Sequence, residues 1–154
     1  DLMGSIILPI GLFLMSGGKF MFAYAKPVPY NPFNLRNQKW GPAAVAVAGP
    51  LSNFLIAAIF GFILRFFPLS TMTLFLSTIV YVNILLGVFN LVPIPPLDGS
   101  KILFAVLPDS MQNVKVMLER YGFFLLIIFM LYFFRLLSPI ISTLFSFFTG
   151  GLGF

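Results

Sequence analysis

Apolar residues fall in long unbroken runs separated by short polar segments, and this blockwise pattern, not a strand-like alternation, sets the expected fold. The first run, residues 1–16 (DLMGSIILPIGLFLMS), is apolar after Asp1, a residue suited to capping a helix. At ~1.5 Å per residue it falls short of a ~30 Å hydrocarbon core, so it is expected to belong to a longer span or to a tilted, partly buried helix containing Pro9. A second run extends from Pro42, which suits a first helical turn, to Phe67, and a third from Thr71 to Leu91. The tight connection at Phe67, Pro68 and Leu69 makes these two antiparallel neighbours. Gly49, Asn53, Ala57 and Gly61 recur at steps of four on one helix, and Asn83, Gly87 and Asn90 share a face of the next. Small residues permit close approach and amides avoid lipid, so the two faces are expected to meet. The last run begins at Tyr121. Arg135 interrupts it, which predicts a span ending near Phe134 and then an interfacial or partly re-entrant tail, 136–154, with Pro139.

The polar connections differ in character. Residues 17–41 carry Lys19, Lys26, Arg36 and Lys39 and no acid, and within them KPVPYNP places proline at alternate positions, favouring an extended conformation. That loop reads either as a stiff juxtamembrane connection or as an edge that aligns an extended peptide by strand addition. Residues 108–120 are the most hydrophilic and predict a solvated helix in which Lys115 and Glu119 can pair. The third connection, NLVPIPPLDGSK from Asn90 to Lys101, ends an apolar run with an amide, three prolines and a carboxylate. Its prolines remove backbone donors and fix φ, predicting an extended course from Val92 to Pro96, a turn at Asp98 and Gly99, and a short helix from Ser100 to Leu107. A helix break below the membrane surface must turn its free carbonyls toward protein or a watery cavity.

Composition turns this layout into a class. With 60% hydrophobic and 8% charged residues, the 154-residue chain is expected to be an all-α polytopic membrane protein of about four segments, forming one membrane domain. The net charge of +5 comes from nine thinly spread Lys and Arg, so there is no basic run for nucleic acid, and the lipid bilayer is the expected partner. Loops 17–41 and 92–120 hold seven of those cations, against Arg65 and Arg135 elsewhere, which places the motif-bearing side in the cytoplasm by the positive-inside rule. Absence of Cys excludes disulfides and thiolate metal sites, and absence of His removes the commonest catalytic metal ligand and general base. The chain opens on Asp1 and enters apolar sequence at once, so it is expected to be a fragment of a longer protein.

Three readings of Asp98 stand side by side on residue chemistry alone. It is a turn or capping residue, or part of an ion or proton pathway in a transporter, since an ionisable group at a membrane helix break is suited to that task, or a metal ligand whose partners lie elsewhere. Asn53 reads either as interhelical glue or as a residue lining a site.

The motif NLVPIPPLDG, together with KPVPYNP and the nearby Asn34 and Arg36, and GPLSN at residues 49–53, resembles the site-2 protease family of intramembrane zinc metalloproteases, in order and at similar separations over roughly residues 1–104. The resemblance implies zinc held by two His of an HExxH helix and by Asp98 as third ligand. It implies Asn90 as the amide that stabilises the tetrahedral intermediate, a task suited to a neutral donor, and Asn53 as a site-lining residue. Substrates would be transmembrane proteins or peptides, hydrolysed by a zinc-activated water with the HExxH Glu as base. HExxH is absent from these residues, so two metal ligands and the base are missing. The stretch from Asp1 to Pro9 resembles the family segment on the C-terminal side of that helix, which implies N-terminal truncation. The expectation is that this polypeptide alone neither binds zinc tightly nor cleaves peptides, its missing partner being the HExxH helix. A catalytically inactive homologue acting as a membrane scaffold is the remaining alternative.

Overall fold

The structure is a computed structural model that describes residue 37, residues 39–66 and residues 72–151, except for the side chain of Phe134. All belong to one compact unit, Pro32–Phe154. The expected first segment, nearly all of loop 17–41 and the connection at residues 67–69 lie outside the described residues.

Among the described residues four α-helices come in order: α1 (Gly41–Phe66), α2 (Thr73–Asn90), α3 (Asp98–Val106) and, after a 3-10 turn at Asp109–Met111, α4 (Gln112–Thr149). Among the described residues there is no strand. Helix α1 begins where Asn37 prepares it. The Asn37 side-chain oxygen accepts the N–H groups of Lys39 and Trp40 at 3.0 and 3.1 Å, and its carbonyl accepts that of Gly41 at 2.8 Å. Donors that a helix start leaves without partners are thereby satisfied. Of the described residues, three stretches are long and apolar enough to cross a membrane: Gly41–Phe66, Thr73–Asn90 and Asp109–Phe133.

The core lies between α1, α2 and the far end of α4. Ala57, Val80 and Ile84 are fully buried, with Leu64, Leu76, Val88, Ile141 and Phe145 packed around them. The apolar side chains facing outward, among them Leu51, Leu55, Phe62, Leu74 and Phe75, would be a liability in water but suit contact with acyl chains. In lipid the drive to associate comes from packing, not from removing apolar surface from water, so small residues decide how near helices come. A Cβ on Gly61 would lie 2.8 Å from the Phe148 carbonyl oxygen of α4, and one on Gly87 would meet the Phe54 ring at 2.8 Å. The expected meeting of two small faces is therefore realised by a ring from α1 seated on Gly87, while Gly61 serves α4. Asn83 turns back to its own helix, donating to the Ile79 carbonyl at 2.8 Å.

Helix α4 does not end near Phe134. It continues past Arg135 and Pro139 to Thr149 as one helix of 38 residues, ~57 Å long at the standard rise. A charge does not interrupt helical hydrogen bonding, and around Pro139 the hydroxyls of Ser142 and Thr143 donate to the Pro139 carbonyl at 3.0 and 2.7 Å. The segment expected as a tail thus supplies Ile141 and Phe145 to the core. At its end Gly150 adopts φ 75°, the left-handed conformation that closes a helix. Arg65 of α1 reaches the last turn, Nε donating to the Phe148 carbonyl at 3.2 Å and Nη2 to that of Phe147. A cation is favourable there because the final carbonyls lack helical partners and carry the negative end of the helix dipole. Arg135 does not share this level with Arg65: it lies 14 residues before Thr149, about 21 Å along the axis.

Candidate active site

The Pro-rich stretch does not run extended as its prolines predict. It folds into successive tight turns, in which Val92 N–H donates to the Phe89 carbonyl at 3.1 Å, Ile94 to Val92 at 2.8 Å and Leu97 to Ile94 at 2.9 Å. The Pro95–Pro96 peptide is cis, so the chain reverses within the four residues 94–97 as a proline-containing type VI turn. Proline forbids helix, which favours extended backbone; the donors of Val92, Ile94 and Leu97, the residues flanking the prolines, instead close the turns locally.

Two glycines press this turn into place. A Cβ on Gly99 would lie 2.2 Å from the Leu91 carbonyl oxygen and 2.5 Å from that of Val92. A Cβ on Gly122 of α4 would lie 2.6 Å from the Pro95 carbonyl oxygen. Backbone packs on backbone at both points, and Pro95 and Gly99 are buried. Gly122 carries no signal in the sequence because it stands at the start of the last apolar run, just after Arg120 and Tyr121; its position marks nothing until Pro95 is placed against it.

Helix α3 starts at Asp98, two residues ahead of the expected Ser100, with Asp98 in its first turn. Neither Asp98 nor Ser100 caps it through a side chain. Ser100 Oγ instead donates to the Leu97 carbonyl at 2.7 Å, and Asp98 Oδ1 accepts from Lys101 Nζ at 3.1 Å. The other carboxylate oxygen faces α1, where a Cβ on Gly49 would come within 3.4 Å of Oδ2. The absence of a side chain at Gly49 therefore keeps one face of Asp98 uncovered. The ion pair is about one-third exposed on each side, and it is the only one among the described residues. Lys115 and Glu119 form no such pair.

The structure brings Asp98 to Gly49, and Asn53 lies one helical turn beyond Gly49 on the same face. Asn90 is the last residue of α2, immediately before Leu91, whose carbonyl Gly99 packs against. Asn53 and Asn90 are both half-buried. The three expected site residues thus sit on α1, the end of α2 and the start of α3.

Catalytic zinc takes about three protein ligands of the His, Asp or Glu kind plus an open position. The chain has neither His nor Cys, and among the described residues no three groups of this kind lie together. The donors among the described residues therefore do not by themselves make a zinc site. Asp98 is a partly exposed carboxylate, one oxygen held by a lysine, set at the first turn of a short helix.

Residues 68–131, which contain α2, the turn, α3 and the first half of α4, match Peptidase family M50. Over those residues the chain is similar to this family. "Putative zinc metalloprotease YwhC" of Bacillus subtilis is 31% identical over 117 residues, covering 70% of this chain and 53% of that protein. "Zinc metalloprotease MJ0392" of Methanocaldococcus jannaschii is 35% identical over 78 residues, covering 50% of this chain and 23% of the relative. A second protein of that organism, "Putative zinc metalloprotease MJ0611", is 35% identical over 60 residues, 38% of this chain and 31% of its own length. The chain thus spans about half the length of the Bacillus relative and less of the other two. No solved structure matches it. Three apolar helical stretches of membrane-crossing length among the described residues, together with the likeness to the M50 family, make it an integral membrane protein.

Proposed function

We propose that this chain is part of an intramembrane zinc metalloendopeptidase in which Asp98 supplies one metal ligand and Asn90 a hydrogen-bond donor to the reacting carbonyl. The observation that carries the reading is the placement of the Asp98 carboxylate. It opens on Gly49, one turn from Asn53, directly after a turn held by Gly99 and Gly122. A side chain larger than alanine at position 49 would cover this face of the carboxylate.

The chain's own residues have definite tasks in this reading. Lys101 holds one oxygen of Asp98 and so fixes the carboxylate's rotation. The Pro95–Pro96 turn sets the distance between Asn90 and Asp98 by closing eight residues through short-range hydrogen bonds. Asn90 carries a neutral amide that donates to a developing oxyanion without competing for a cation. Asn53 lines the same space. Zinc, when held with two imidazoles from outside this chain, would supply Lewis acidity there. The substrates would be transmembrane segments, reaching the site from the bilayer, and the motif-bearing end would face the cytoplasm.

The deciding experiment uses a polypeptide that includes this chain and an HExxH helix. Asp98→Ala should abolish cleavage of a transmembrane reporter and lower bound zinc; Asn90→Ala should lower turnover by about 10²-fold, as for loss of an oxyanion donor, with zinc content unchanged. Full activity in the Asp98→Ala protein would overturn the assignment. The 154-residue chain alone should purify without stoichiometric zinc.

A further inference from the structure

A cleft of about 480 Å³ opens at the motif-bearing end of the helices, and its charged lining is strongly biased: Lys39, Lys101 and Lys115 against Asp109. The cations come from three separate places, the residue pair before α1, the middle of α3 and the first turn of α4. Their convergence is therefore a product of the fold and is invisible as a run in the sequence. Like charges gathered at one concavity repel one another and are favourable only against an anion. Of the three, Lys101 alone has an ion pair with a described residue, Asp98. Pro42, Phe104 and Ala105 supply its apolar lining.

We infer that this cleft is a binding site for a phosphate group that carries net negative charge, unlike the phosphate of a choline headgroup, whose own ammonium balances it. A lining that combines three ammonium groups with apolar side chains suits the boundary between headgroup and glycerol in a bilayer. The polar start of α4, residues 112–120, exposed almost throughout, begins at this level. Lysines near an anionic leaflet each contribute a few-fold in affinity. Lys101 belongs to both the cleft and the Asp98 pair, so a phosphate here would draw on the same ammonium that orients Asp98. This step does not depend on the peptidase reading, and its test needs no activity.

The full chain is reconstituted in nanodiscs of phosphatidylcholine with or without phosphatidylglycerol, and lipid retention is read by native mass spectrometry together with thermal melting. Phosphatidylglycerol should be retained over phosphatidylcholine and should raise the melting temperature. Lys39→Gln and Lys115→Gln should each lower that preference about fivefold, and together about twenty-five-fold, from the contribution of one lysine near a membrane surface. Neither substitution touches the Asp98 pair, and unchanged melting in pure phosphatidylcholine would show that both variants fold. Arg120→Gln, on α4 outside the cleft, should leave the preference intact. Glycerol phosphate at millimolar concentration separates two sources: displacement of the lipid assigns the site to a free phosphate compound, and failure to displace it assigns the site to a lipid headgroup. The inference is overturned by equal retention of both lipids with no effect of glycerol phosphate, or by an Arg120→Gln loss as large as that of Lys39→Gln.

Discussion

The Asp98 carboxylate of α3 lies against Gly49 of α1, so that a Cβ there would stand 3.4 Å from Oδ2. That distance is ordinary van der Waals contact, and it sets a graded expectation. Gly49→Ala should fit and leave cleavage by the complete protein within about twofold. Gly49→Val adds an isopropyl group with a restricted rotamer, which covers the open face of Asp98. Its activity should fall by at least about tenfold, roughly 1.4 kcal/mol in transition-state stabilisation, while melting shifts little. Equal activity of Gly49→Val and wild type would show that this face of Asp98 is not used.

Gly99 and Gly122 offer a sharper test, because there the obstacle is backbone. Alanine at Gly99 would require the Leu91 carbonyl to move from 2.2 Å, and alanine at Gly122 would require the Pro95 carbonyl to move from 2.6 Å. Overpacking of this kind costs about 1–3 kcal/mol, and both variants should melt lower and lose more activity than Gly87→Ala, whose Cβ meets a side-chain ring that can shift. Thermal melting in detergent, with a protease-resistance assay for the 90–101 turn, distinguishes these cases. A Gly99→Ala protein as stable as wild type would contradict the close approach.

The contrast between these glycines explains what was legible in the sequence. Long apolar runs announced α1 and α2 to within about two residues, since span length depends on hydrophobicity alone. Asp98, Asn90 and the short helix α3 were legible because polar groups are conspicuous in an apolar chain. The course of residues 92–97 was not legible, because proline excludes helix without choosing between extended backbone and turns. Arg135 misled in the opposite direction: it suggested a boundary, but helix α4 passes through it, and its far half is fixed by contacts at Gly61 and Arg65 some 80 residues away in sequence. The three-lysine cleft likewise depends on tertiary placement.

Arg65 ties the ends of α1 and α4 together through two carbonyls of the last turn. Its forked guanidinium serves both at once, which a lysine ammonium on a flexible stem does less well. Arg65→Gln should lower stability by about 1–2 kcal/mol, the range for hydrogen bonds from a charged donor reduced for its exposure. Arg65→Lys should recover only part of this. The readout is a denaturant or melting midpoint, together with faster amide hydrogen exchange confined to residues 141–151. Unchanged exchange in that segment would show that the end of α4 is held by packing of Ile141 and Phe145 alone.

The Lys101–Asp98 pair should behave differently from the Arg65 contact although both join a cation to an oxygen at a helix end. It spans three residues of one helix and is about one-third exposed, a setting in which ion pairs contribute roughly 0–1 kcal/mol. Lys101→Met keeps most of the side chain's apolar length, so the cover that its stem provides is largely preserved. Its melting temperature should therefore lie within about 2–4 °C of wild type, the shift that corresponds to ~1 kcal/mol in a domain of this size. Activity of the complete protein should fall more than stability, because Asp98 loses the partner that fixes its rotation. Measuring both on one preparation separates the two roles: a large drop in melting temperature with normal turnover would make the lysine a structural anchor and remove it from the site.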